Sequence, residues 1–122
     1  MTPPTTLLKK RAAMARAPIP RCHGGTGAVD STTVLDAADL AGRRLKFVHD
    51  DILPPGASVG PHPHADDEEL YVILSGQGEM ELDGQVHPVA AGDAVVVFPG
   101  GTHALRNTGA APLRLLVVCL QA

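Results

Sequence analysis

Short apolar runs separated by turn residues recur along most of this chain. The runs rich in Val, Leu and Ile lie at residues 45–53, 70–74, 79–82, 94–98, 102–107 and 112–120. Runs this short, bounded by Gly, Pro, Asn and Asp, are typical of β-strands. The pattern predicts an all-β protein.

The turn chemistry supports the same fold class. Asp83-Gly84 stands between two alternating runs and predicts a two-residue hairpin. Only residues 36–40 look helical, with Asp36 as a plausible N-cap. Many short strands must close on themselves or pair as two sheets to cover their edges, so we expect a sandwich or barrel.

Length and charge define the expected domain organisation. The chain has 122 residues, 44% of them apolar, and a formal net charge of -3, which suits one globular domain. The first 21 residues carry no acid but hold Lys9, Lys10, Arg11, Arg16 and Arg21. We predict a basic, partly flexible N-terminal arm at 1–21 and a β-barrel domain at 22–122.

Composition also limits the expected partners. Aromatic residues make up 2% of the chain, too few for a surface that stacks bases. The arm lacks the apolar run of a secretory signal, and no segment approaches the roughly 20 apolar residues of a membrane span. We expect a cytoplasmic protein with no nucleic-acid or membrane partner. Cys22 and Cys119 are not a closely spaced zinc-type pair, and such a protein needs no disulfide between them.

A group of histidines supplies the candidate chemistry. His62 and His64 flank a proline in an extended segment, so their imidazoles point to the same side. Glu69 adds a carboxylate, and His103 on a later run adds a third imidazole. Such donors suit borderline divalent ions, so we predict a metal site. Four ligands leave positions open on an octahedral ion, which favours catalysis over a structural role.

These residues and the glycines around them form two spaced motifs. The first comprises Gly56, His62, His64, Glu69 and Gly76. The second comprises Gly92, Gly100, His103 and Asn107, with Phe98 at a position usually held by proline. Together they resemble the motifs of the cupin superfamily, here a small single-domain (mono-cupin) protein. The resemblance implies a double-stranded β-helix, or jelly-roll barrel, with the ion inside its mouth.

Two further residues are candidate catalytic groups. By alternation Tyr71 shares a face with Glu69, where it would donate a proton or simply pack at the barrel rim. His49 precedes the metal loop and would act as a general base or remain a core or surface histidine. His23 would reach over the pocket or serve only in its loop, and His87 is expected to be peripheral.

The acidic neighbours of Glu69 are expected to play no part in the site. Glu68 is one residue out of the motif register and should face outward. Asp66 and Asp67 are predicted to be solvated loop acids.

The resemblance leads us to expect a small metal-dependent enzyme that acts on a small organic molecule. Because the superfamily spans many reactions, the resemblance does not fix the reaction type, and we favour dioxygenase or isomerase/lyase chemistry. Fe²⁺ or Mn²⁺ is the favoured ion, with Zn²⁺ or Ni²⁺ next. The alternative is a non-catalytic module that binds a sugar or another small effector. A third possibility is a metal-poor scaffold used for dimer assembly. Exposed edge strands lead us to expect a homodimer in all three cases.

Overall fold

The structure, a computed structural model, describes residues 4–122. Over that range a single four-residue α-helix, α1, spans Ala37–Leu40. The β-strands are β1 Ala15–Pro20, β2 Ala28–Leu35, β3 Leu45–Leu53, β4 Ser58–Pro63, β5 Asp67–Ser75, β6 Gln77–Leu82, β7 Gln85–Ala90, β8 Ala94–Val97, β9 Thr102–Arg106 and β10 Leu113–Gln121. No helix within this range is long and apolar enough to cross a bilayer.

The strands form two sheets of antiparallel neighbours. One has the order β1-β2-β3-β10-β5-β8 and the other the order β4-β9-β6-β7. Their inner faces enclose an almost wholly aliphatic core, in which Leu53, Met80 and Leu113 are fully buried. The predicted all-β, double-sheet architecture is confirmed.

The hairpin and the helix cap, both predicted from turn and capping residues, are confirmed. Asp83 and Gly84 join β6 to β7 with φ angles of 49° and 83°, as a tight hairpin of this kind requires. Asp36 caps α1 by accepting a hydrogen bond from the Asp39 amide at 2.8 Å, and the Asp39 carboxylate accepts one from the Asp36 amide at 2.9 Å.

Four strands lie outside the predicted apolar runs, namely β1, β2, β4 and β7, and of these only β7 was expected, as the second arm of the Asp83-Gly84 hairpin. β1 falls within residues 1–21 and pairs with β2 at the edge of the six-stranded sheet. Its prolines, Pro18 and Pro20, are tolerated there because an edge strand can lack ladder donors. The N-terminal segment thereby lies against the barrel from Ala15 onward.

Asp50 holds this N-terminal segment to the barrel. Its side chain is 4% exposed and faces away from the barrel interior, where Arg114 donates two hydrogen bonds at 3.0 and 2.7 Å. Arg11 donates a third at 2.9 Å. The Arg114 guanidinium, opposed by burial and assisted by Arg11, holds the pKa of the Asp50 carboxyl below its ordinary value.

Asp50→Asn is expected to lower the free energy of unfolding by about 2 kcal/mol at neutral pH, because it removes the charge from a buried, multiply bonded carboxylate. Since the folded pKa is lowered, this contribution is complete above the unfolded pKa of about 3.9 and is lost as the pH falls through the folded pKa. Urea unfolding of both proteins from neutral to acidic pH measures it. An equal difference at every pH would contradict this assignment.

Candidate metal centre

Four side chains from three strands and one loop converge where the two sheets face each other. His62 lies near the end of β4, and its register partner on β9 is His103. His64 follows β4, and Glu69 comes from β5 in the opposite sheet. All four side chains are buried, and one donor atom from each lies within 4.8 Å of the others. The structure therefore brings together all the predicted ligands.

The distances show that the ring atoms share one focus. The Nε2 atoms of His64 and His103 are 3.0 Å apart. Oε1 of Glu69 lies 3.2 Å from Nε2 of His103, 3.5 Å from Nε2 of His64 and 3.9 Å from Nε2 of His62. Each imidazole thus presents the same nitrogen to one carboxylate oxygen.

In two of the imidazoles, the contact made by Nδ1 determines that Nε2 is the nitrogen able to bind a metal ion. Nδ1 of His62 lies 2.8 Å from the Gly60 carbonyl, and Nδ1 of His64 lies 2.7 Å from Oδ1 of Asp67. Both oxygens accept only, so each Nδ1 carries the proton and each neutral ring keeps an Nε2 lone pair directed at the focus. Partners of this kind orient metal-ligating histidines.

Asp67 orients the His64 imidazole through the ring nitrogen that faces away from Glu69. Its carboxylate is held by Lys46 at 2.9 Å and by His64, and its side chain is 17% exposed on β5. The hydrogen bonds from Lys46 and His64 lower the pKa of Asp67 to about 2, so Asp67 accepts the His64 hydrogen bond as an ionised carboxylate. The prediction that Asp67 is a solvated loop acid is wrong, because strand β5 begins two residues earlier than the motif register of Glu69 suggested.

The charges at the focus favour a cation. Burial acts to raise the pKa of Glu69, but the neighbouring His103 and His62 imidazoles outweigh it and lower the pKa to about 2. Burial lowers the pKa of His103, whose Nδ1 is buried without a hydrogen-bond partner in the described range 4–122. An ionised carboxylate among imidazole lone pairs fits a borderline divalent ion both in charge and in donor chemistry.

A cavity of about 370 Å³ adjoins this centre. His62 and Glu69 line one side, and both candidate catalytic residues, Tyr71 and His49, line it as well. Tyr71 is 4% exposed, its ring centroid lies 4.8 Å from that of His103, and burial raises its pKa well above the ordinary value. Tyr71 therefore lies inside the barrel as a protonated phenol and not at its rim.

The loop 21–27 covers one wall of the cavity. The His23 ring stacks on His62 with centroids 3.7 Å apart and an interplanar angle of 9°. Ser58 anchors the loop to β4, since its amide donates to the Thr26 carbonyl at 2.9 Å and its hydroxyl accepts from the Thr26 amide at 2.8 Å. A Cβ at Gly60 would collide with the His23 carbonyl, so this position requires glycine. The structure thus places His23 directly against a candidate ligand.

Sequence reasoning missed two residues of the cavity wall, Arg21 and Asp51. Asp51 is two residues from His49 on β3 and shares its inward face, so strand alternation could have identified it. Burial raises the pKa of Asp51, with the nearby Ser31 hydroxyl acting in the opposite direction. Arg21 enters through the loop 21–27, and no periodic pattern could have placed it there.

Known proteins resemble this chain in sequence and in fold. The family model described as Cupin domain matches residues 50–119. An "Oxalate-binding protein" of Thermotoga maritima is 34% identical over 102 residues, which cover 84% of each chain. The crystal structure of a "predicted oxalate decarboxylase" from Thermotoga maritima has a TM-score of 0.88 at 29% identity and covers 95% of this chain and 100% of that one. The polyketide cyclase RemF of Streptomyces resistomycificus, at 22% identity and a TM-score of 0.75, shares the fold over 95% of this chain and 80% of its own.

Proposed function

Because the chain belongs to the cupin domain family, we propose that it is a small metal-dependent enzyme that acts on a small organic acid. The proposed ligands of the ion are His62, His64, Glu69 and His103. The observation that carries the proposal is the pair of Nδ1 protons donated to Gly60 and Asp67, because they leave two Nε2 lone pairs directed at Glu69.

Fe²⁺ or Mn²⁺ is the favoured ion, with Zn²⁺ or Ni²⁺ as alternatives. Three nitrogens and one carboxylate oxygen suit any of these ions, and a site with positions left for a ligand favours those that accept six donors. Bound there, the ion would supply Lewis-acid activation of the ligand. Dioxygenase and isomerase/lyase chemistry are the proposed reaction types.

The cavity favours an anionic ligand. Arg21 lines it and makes no hydrogen bond or ion pair with any side chain of residues 4–122, so its charge is available to a ligand. The name of the Thermotoga maritima relative points to the same class of ligand, a small carboxylate. Arg21 would hold the carboxylate, the Tyr71 phenol would donate a hydrogen bond, and His49 would transfer a proton.

The proposal is tested by titrating the Mn²⁺-loaded protein with oxalate and with monocarboxylates in a calorimeter, followed by assays for oxygen uptake and carbon dioxide release. We expect saturable binding of at least one acid and turnover of that acid. If no carboxylate binds to the loaded protein, the proposed ligand class is wrong.

A second candidate is a non-catalytic cupin that binds a small effector, such as an organic acid or a sugar. The Thermotoga maritima relative, which is named for binding alone, favours it. The same experiment distinguishes the two functions, because a binding module would saturate with the ligand and leave it chemically unchanged over long incubation.

Metal affinity is expected to fall steeply below about pH 6, because protons compete with the ion for three imidazoles whose ordinary pKa is about 6.5. Burial opposes protonation of His62, but its hydrogen bonds to Glu69 and to the Gly60 carbonyl outweigh it and raise the pKa, so this ring is expected to release the ion first as the pH falls. Competition titrations with a chelator of known affinity measure the effect. An affinity that is constant between about pH 5 and 8 would contradict a centre built from three histidines.

A further inference from the structure

Asp51 carries a buried carboxylate oxygen that the proposed centre does not use. Among residues 4–122 neither its Oδ1 nor the hydroxyl oxygen of Ser31, its register partner on β2, makes a hydrogen bond of ordinary geometry, although the Ser31 hydroxyl is close enough to act on the Asp51 pKa. Ser31 is 5% exposed. One neighbouring hydroxyl leaves most of the acceptor capacity of a carboxylate unused, so Asp51 can still accept a hydrogen bond from a ligand.

The adjacent carboxylate, Asp50, shows how the two faces of β3 differ. Asp50 points to the other face and receives hydrogen bonds from Arg114 and Arg11. Asp51 points inward, lines the cavity and lacks such a partner. The cavity is therefore the direction from which a donor would reach Asp51.

The groups around Asp51 restrict what that donor can be. The titratable and charged groups that face the cavity are His49 on β3, Glu69 and Tyr71 on β5, His62 on β4, and Arg21, Cys22 and His23 in the loop 21–27, whereas β1 and β10 contribute only apolar side chains. Arg21 is the only fixed positive charge among them, and it makes no ion pair with Asp51. An ionised carboxylate accepts hydrogen bonds but cannot donate them, so the ligand must bring the donor.

From these observations we propose that Asp51 is a specificity-determining residue that accepts a hydrogen bond from a hydroxyl group of the ligand. The inference rests on the proposed function and deepens it. The ligand class becomes a hydroxy acid, with its carboxylate at the Arg21 and metal-centre side of the cavity and its hydroxyl at Asp51. A fully ionised dicarboxylate offers no donor and places like charge beside Asp51, so it binds less well than a hydroxy acid of matching length.

The test measures how much a hydroxyl group adds to affinity at each ligand length. Calorimetry on the Mn²⁺-loaded protein compares unbranched monocarboxylates from acetate to pentanoate with their terminally hydroxylated counterparts. At one chain length the hydroxyl is expected to raise affinity by about tenfold or more, as a hydrogen bond to a charged acceptor does. That length reports the distance between the two ends of the site.

Variants at the two neighbouring carboxylates assign the effect. Asp51→Leu is expected to remove the hydroxyl gain and Asp51→Asn to reduce it, because the amide keeps a neutral acceptor. Asp50→Asn removes the same charge from the opposite face and should keep the gain. Metal content, measured on each protein, shows that the centre is intact.

Three results would overturn the inference. One is a hydroxyl gain that persists in Asp51→Leu, as it would if the hydroxyl chelated the metal. Another is a wild-type protein that binds carboxylates without any hydroxyl gain, which leaves the proposed function standing. The third is a wild-type protein that binds no carboxylate at all, which removes the proposed function as well.

Discussion

His103→Ala is expected to weaken Mn²⁺ binding by about a hundredfold or more and to leave the fold in place. A structural zinc site of four ligands contributes about 10–16 kcal/mol, so one ligand of four contributes about 3 kcal/mol. His103 is 1% exposed, and its Nε2 lies within 3.2 Å of both His64 and Glu69. A side chain at the surface therefore cannot take its place as a ligand. Competition titration gives the affinity, and circular dichroism reports the fold.

The matched control for this variant is His87→Ala. His87 is exposed on β7, outside the cluster, and its loss should leave metal affinity unchanged. The assignment of the centre would be contradicted if His103→Ala bound Mn²⁺ as tightly as the wild type, or if both variants lost affinity equally.

Asn107→Ala is expected to lower the free energy of unfolding by about 3 kcal/mol, because it leaves buried backbone groups without partners. The Asn107 amide donates to the carbonyls of Leu53 and Ala111, both at 2.9 Å, and its oxygen accepts from the Gly109 amide at 2.9 Å. These bonds join the end of β3 to the turn that precedes β10. Urea unfolding measures the loss.

Arg106→Ala provides the comparison at the adjacent position. Arg106 is exposed, and its ion pair with Glu79 also lies at the surface, so the change should cost less than about 1 kcal/mol. Equal losses in the two variants would show that the Asn107 hydrogen bonds are not what stabilises this end of the barrel.

The strands that sequence reasoning found are those marked by a run of apolar residues. Residues 45–53 form β3 with the predicted bounds, because their Val, Leu and Ile content signals a strand directly. β1 and β4 each contain two prolines, which argue against a strand, and β2 has Val and Leu only near its ends, so no apolar run marks it. Pairing with neighbouring strands decides their structure, and no local pattern reports that pairing.

The candidate site likewise contains residues that the sequence could identify and residues that only the tertiary structure places. Motif spacing was enough to predict that His62, His64, Glu69 and His103 meet, and the structure brings them together. The roles of Asp67 and Arg21 depend on how β5 begins and where the loop 21–27 lies, which are tertiary properties. The homodimer, the cytoplasmic location and the catalytic roles of Tyr71 and His49 stay predictions.

The central claim is that this chain holds a divalent ion at the focus of the four side chains. It is tested most directly by elemental analysis of the protein purified without an affinity tag, beside the double variant His62→Ala/His103→Ala expressed in the same medium. We predict about one divalent ion per wild-type chain, with iron or manganese favoured, and its loss from the folded double variant. Equal metal content in the two proteins, or a folded wild-type protein that contains no metal and takes up none when it is supplied, would contradict the claim.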